Sequence, residues 1–124
     1  YLPENLKYTE EHEWVKKEGD TLVIGITDYA QGELGDIVFV ELPMQDDNFE
    51  KSDSFGTVEA VKTVSDLYMP ISGAIVEVNE GLEDNPELIN TNPYGDGWII
   101  KIKPENIADF DNLLDYVKYK GIIS

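Results

Sequence analysis

Lys62 is the residue whose setting invites chemistry. Two runs rich in β-formers, residues 55–61 and 64–69, meet at it, with Thr57, Val58, Val61, Val64, Leu67 and Tyr68 supplying the β-branched and aromatic side chains. A polar break of one or two residues between such runs predicts a tight hairpin with Lys62 at its tip. No Gly or Asn marks the turn, so its type stays open. A primary amine held that far from a core is either a solvated charge that aids solubility or the attachment point of a modification.

The rest of the chain offers few rivals. His12 is the only histidine and there is no cysteine, which removes disulfides, thiolate chemistry and a His/Cys metal site. A lone histidine beside Trp14 reads as a packed or hydrogen-bonded structural group. Nothing supports a Ser–His triad, and the many glutamates lack a spacing that singles out an acid/base pair. No catalytic residue is assigned.

Against 26 acidic residues stand nine lysines and no arginine, a formal charge of −17. Such a surface repels nucleic acid and anionic membranes and favours partners with basic faces. No apolar run approaches the roughly 18 residues that span a bilayer, and residues 1–5 lack the basic and apolar regions of a signal peptide.

Residues 1–11 read as an extended lead-in. Residues 12–16 and 21–26 form a first hairpin around Glu18-Gly19-Asp20. Thr27 is placed to cap a short helix with Ala30 and Leu34 on one face, and Gly35 to end it. Residues 36–42 read as a strand stopped by Pro43, and residues 44–53 as an acidic connection. After the central hairpin come a strand at 73–78, a helical turn at 85–90 with Pro86 in its first position, a turn cluster at 92–97 and a last strand at 98–102. From Pro104 on, Ile107, Phe110, Leu113, Leu114 and Val117 recur at helical spacing and predict a helical tail packed back on the sheets. The class is mainly β, a sandwich or flattened barrel, in a single domain over 1–124 with a core of about 6–103 and a helical extension at 104–124.

Several segments carry a more specific message: His12-Glu13-Trp14-Val15, Ile24-Gly25-Ile26-Thr27, Tyr29-Ala30-Gln31, residues 34–43, residues 58–66 followed by Pro70-Ile71-Ser72-Gly73, and residues 92–98. In this order and spacing they resemble the glycine cleavage system H protein family over roughly residues 6–103. Biotin carriers flank their lysine with methionines, whereas Lys62 sits between Val61 and Thr63. The chain departs from the family at Ala60, where serine is common, at Thr63, where alanine is common, and at Ser52-Asp53, where a Gly-Asp turn is typical.

The resemblance implies a hybrid barrel-sandwich of the lipoyl- and biotinyl-carrier kind, with short helices and a helical C-terminus. It implies lipoic acid in amide linkage on Lys62, and a shuttle, not an enzyme, that moves the aminomethyl group of glycine. The implied partners are a pyridoxal-phosphate glycine decarboxylase, a tetrahydrofolate-dependent aminomethyltransferase, the FAD enzyme dihydrolipoamide dehydrogenase, and a lipoate ligase or lipoyltransferase; nucleic acid and membrane are not among them. The family's slot for the loaded arm maps onto Glu13, Ile26, Ala30, Leu34 and Asp66. Glu13 and Asp66 are candidates to hold a charged amine, the three apolar residues to line the slot, with plain core packing and strand-edge carboxylates as the alternatives. Two other readings stay open: a lipoyl relay that supplies 2-oxoacid dehydrogenases, and an unmodified acidic module that binds a basic protein. The expected location is a bacterial cytoplasm, with the mitochondrial matrix as the alternative.

Overall fold

The computed structural model describes residues 2–123. Nine strands run through it: β1 (Lys7–Tyr8), β2 (Glu13–Glu18), β3 (Thr21–Ile26), β4 (Ile37–Glu41), β5 (Asn48–Phe49), β6 (Ser54–Ala60), β7 (Val64–Tyr68), β8 (Gly73–Val78) and β9 (Ile100–Pro104). Between them lie the helices α1 (Asp28–Leu34), α2 (Gly81–Asp84) and α3 (Leu88–Thr91), followed after β9 by a 3₁₀ turn (Ile107–Asn112) and α4 (Tyr116–Ile123).

The strands form a six-stranded sheet in the order β1-β2-β3-β9-β8-β5 and a three-stranded sheet in the order β4-β6-β7. All pairings are antiparallel. One apolar core is drawn from both sheets, with Val15, Ile24 and Ile102 from the larger and Val40, Val58 and Leu67 from the smaller. Each fully buried aliphatic side chain there contributes roughly 1.5–3 kcal/mol. β3 lies between β2 and β9 and is buried from Leu22 to Ile26, which explains why it reads as an unbroken apolar run.

A second cluster joins Leu6, Tyr8, Trp14, Val23 and Tyr119. The Tyr8 and Tyr119 rings stack at 4.7 Å, and the Trp14 indole N–H donates to the Pro93 carbonyl at 2.9 Å. Trp14 lies opposite Gly25 in the β2–β3 register, and a Cβ at Gly25 would come within 2.7 Å of the indole. Only glycine fits beneath that ring.

The mainly β architecture with short helices and a helical C-terminus is the expected one; several local expectations change. The lead-in and the acidic connection each contain a two-residue strand, β1 and β5, too short to show a period. Val61 belongs to the turn and not to the strand before it. Pro86 precedes α3 instead of opening it, and the last strand starts at Ile100. In the tail, Leu114 exchanges backbone hydrogen bonds with Tyr8, and Val117 is 71% exposed while Tyr119 is buried. The tail packs back as expected through Phe110, Leu113 and Leu114, but Val117 points away and Tyr119, outside the apolar period, supplies the buried ring of α4.

Candidate functional site

β6 and β7 pair from Ser54↔Tyr68 to Glu59↔Val64, leaving Val61-Lys62-Thr63 to cross between them. The Ala60 N–H to Thr63 carbonyl bond, 2.7 Å, closes that turn, and the Val61 N–H donates to the Asp36 carbonyl at 3.2 Å. All three turn residues are exposed. Lys62 makes no ion pair or hydrogen bond among the described residues, so its amine is free for acylation. Its Cε lies 3.7 Å from the place a Gly35 Cβ would occupy, at the end of α1. Exposed apolar side chains stand on the same hairpin, Val61 and Val64, and on the strand beside it, Val38 and Phe39.

The base of this hairpin is held by an unusual anchor. Asn90 of α3 accepts from the Ile37 N–H at 2.9 Å and donates to both the Gly35 carbonyl and the Gln31 side chain, each at 2.9 Å. One side chain thus fixes the end of α1 to the start of β4, and so the ground on which Lys62 rests. Sequence reasoning missed it, because an Asn in a helical turn carries no mark of a tertiary role.

Beside the hairpin, between β2, α1 and β7, opens a cleft of about 320 Å³, at the small end of ligand-binding cavities. The structure brings all five sequence-predicted slot residues to it: Glu13, Ile26, Ala30, Leu34 and Asp66. Ile26 and Leu67 are buried behind its wall, and Ala30 and Leu34 are half-buried on one face of α1. That face exists because Thr27 caps the helix, its Oγ1 accepting from the Ala30 N–H at 3.2 Å, while Gly35 at φ 84° ends it and returns its N–H to Gln31. Glu11, His12, Tyr29, Glu33 and Ser65 complete the lining; no spacing in the sequence pointed to them.

The two expected carboxylates stand differently. Asp66 is exposed on β7. Glu13 is 2% exposed, its Oε2 accepting from the Tyr68 N–H at 2.9 Å and its Oε1 from the Thr9 hydroxyl at 3.0 Å. The Glu13 carboxyl thereby ties β2 of one sheet to the edge of β7 in the other. Burial pushes its pKa up to about 8, against the pull of the Tyr68 and Thr9 hydrogen bonds and with a further push from Glu11. Desolvation wins because two donors do not replace bulk water around a charge. Glu13 is therefore mostly neutral at pH 7 until a cation arrives beside it. The Asp66 charge in turn raises the Tyr68 phenol, and Glu33 raises that of Tyr29. An apolar wall with carboxylates at its end suits a short alkyl chain that ends in an ammonium.

Comparison with known proteins follows the same line. A family model described as "Glycine cleavage H-protein" matches residues 6–124. The glycine cleavage system H protein of Staphylococcus carnosus is 60% identical over 122 residues, covering 98% of this chain and 97% of that protein. Its counterpart in Bacteroides fragilis is 57% identical over 123 residues, covering 99% and 98%. Among solved structures, the crystal structure of a glycine cleavage system H protein from Mycobacterium marinum superposes with a TM-score of 0.88 at 41% identity, covering 97% of each chain. The hybrid barrel-sandwich fold is common to both.

Proposed function

The chain belongs to the glycine cleavage H-protein family, and on that premise we propose that it is the lipoyl-carrying shuttle of that system, with Lys62 bearing lipoic acid in amide linkage. The observation that carries this reading is the free Lys62 amine at a hairpin tip directly beside a cleft of matching chemistry. When bound, the lipoyl group would supply a dithiolane, whose S–S bond opens to take the aminomethyl group of glycine on one sulfur and leave a thiol on the other. The chain's own residues place and protect it. The turn holds the arm outward, so that tethering keeps its end at high effective concentration near successive active sites. Ile26, Ala30, Leu34 and Leu67 give the arm an apolar wall against which to fold.

At the end of that wall, Glu13 and Asp66 hold the ammonium of the cargo. An ammonium beside Glu13 favours its ionised form, so amine binding near pH 7 releases the Glu13 proton and replaces it with a charge-assisted hydrogen bond. Keeping the amine protonated slows its loss, because a nitrogen lone pair is needed to expel the sulfur. The exposed Val38, Phe39, Val61 and Val64, set in an acidic surface, meet the partner enzymes through apolar contact and basic side chains. No helix among the described residues is long and apolar enough to cross a membrane, and a bacterial cytoplasm is the location we assign from relatives in Staphylococcus and Bacteroides.

The test of the cleft is a double variant, Glu13→Ala with Asp66→Ala. It should lose bound aminomethyl group at least several-fold faster than the parent while Lys62 is still lipoylated. Equal loss rates would remove both carboxylates from the role.

A further inference from the structure

His12 is a stranger group than its sequence context suggests. Its φ is 69°, in the left-handed region that non-glycine residues seldom occupy, and such conformations cost about 1 kcal/mol or more and gather at binding sites. The backbone is pinned there from both sides. The His12 N–H donates to the Thr9 carbonyl at 3.1 Å, and the His12 carbonyl accepts from the Thr27 N–H at 3.0 Å. The ring lines the cleft, packed against Tyr29 at 5.0 Å and edge-on to Tyr119 at 5.8 Å.

Its Nδ1 lies 2.8 Å from the Tyr119 hydroxyl, which lies 2.9 Å from the Thr27 hydroxyl. Tyr119 and Thr27 are both fully buried. Nε2 has no hydrogen-bond partner among the described residues. A polar ring is therefore held in a strained backbone by a buried relay, with one nitrogen committed and the other left for whatever enters the cleft.

We propose that His12 is a further ammonium-holding residue of this cleft, presented by Tyr119 of the C-terminal helix acting as a positioning residue. The proposal rests on the cleft reading above and adds to it a third ligand group and a task for α4. One hydrogen-bond arrangement satisfies every group at once. Thr27 Oγ1 accepts from the Ala30 N–H and from the Tyr119 O–H, Tyr119 Oη accepts from His12 Nδ1–H, and Nε2 carries the lone pair that accepts from the ammonium. Without Tyr119, Nδ1–H loses its buried acceptor and the proton moves to Nε2, where it faces the ammonium.

The sign of the pH effect follows. The groups that face the imidazole are Glu11 and Glu13 from its own segment, Tyr29 and Glu33 from α1, Asp66 from β7 and Tyr119 from α4. Protonation of the ring removes the Nε2 acceptor and adds a positive charge, so a protonated His12 holds an ammonium less well than a neutral one. Glu13 acts in the same direction near pH 8. The two steps are told apart by the variant that keeps one of them.

Because the chain has a single histidine, its imidazole nitrogens give one unambiguous set of NMR signals. The experiment uses the full, unmodified chain with ¹⁵N-labelled histidine and n-butylammonium as the probe, so that its outcome does not depend on the modification of Lys62. The free chain should already show the Nδ1–H tautomer, and the amine should shift the Nε2 resonance without changing that tautomer. Binding should be about tenfold weaker to the chain whose imidazole is protonated, the scale of one hydrogen bond to a charged group. Tyr119→Phe should leave the amide spectrum folded, move the proton to Nε2 and weaken binding several-fold. His12→Gln, which keeps an acceptor, should retain binding and the Glu13 step but lose the step that tracks the imidazole. An imidazole indifferent to the amine while the Ile26 and Leu34 methyl signals move overturns the role of His12 and leaves the cleft standing. Silence from both overturns the ammonium reading of the cleft as well. A Tyr119→Phe chain with unchanged tautomer and affinity overturns the positioning role.

Discussion

Glu13→Gln should remove a large pH dependence from the stability of this protein. In the unfolded chain Glu13 loses its proton near the ordinary carboxyl value of 4.5; in the fold, burial holds the proton until about pH 8. Between these values the native state binds one more proton than the unfolded state, so the free energy of unfolding falls as pH rises. Each pH unit removes about 1.4 kcal/mol, and the whole span about 5 kcal/mol, a large share of the roughly 5–15 kcal/mol that holds a domain of this size. Below pH 4.5 the contribution is fully present; above pH 8 it is gone. Glutamine reproduces the neutral form, its carbonyl accepting from the Tyr68 N–H and its amide donating to the Thr9 hydroxyl, so it has no proton to lose. Parent and variant should have similar stability at pH 4.5, and the variant should gain on the parent by about 1.4 kcal/mol per unit up to pH 8. Urea unfolding of both proteins at half-unit intervals gives the difference directly, and the other carboxylates cancel in it. A constant difference across that range would refute the reasoning, since it would mean that Glu13 is ionised in the fold throughout.

Two more outcomes follow from the backbone. Ser52 holds φ 75° where a glycine would carry no Cβ penalty, so Ser52→Gly should stabilise the chain by about 1 kcal/mol, seen as a thermal midpoint higher by a few degrees. At Gly35, φ 84° and ψ −159° lie in a region open essentially to glycine alone. Gly35→Ala should cost about 1–3 kcal/mol and loosen the α1 end on which the Lys62 stem rests, read as faster amide exchange from residue 35 through the hairpin turn.

Much of this was legible in the chain itself, and for physical reasons. The central hairpin announces itself because Thr57, Val58, Val64 and Leu67 favour strands on both sides of one lysine. α1 announces itself because Thr27 and Gly35 are capping residue types at the right separation. What was hidden depends on contacts distant in sequence. Two-residue strands such as β1 have no period to detect. Glu13 looks like any strand-edge carboxylate until Tyr68, 55 residues away, donates to it. His12 reads as a packing residue until Tyr119, 107 residues on, reaches its ring. Asn90 becomes an anchor only when α1 and β4 meet it. The cleft is a product of the two sheets facing each other, and composition along one strand does not reveal it.

The most direct test of the carrier reading is the mass of the intact protein after expression with lipoate and a lipoate ligase, followed by peptide mapping, with Lys62→Arg alongside. One lipoyl group on the peptide that contains Lys62, and none on Lys62→Arg, is the predicted result. An unmodified chain, while another lipoyl protein in the same cells is modified, would contradict it.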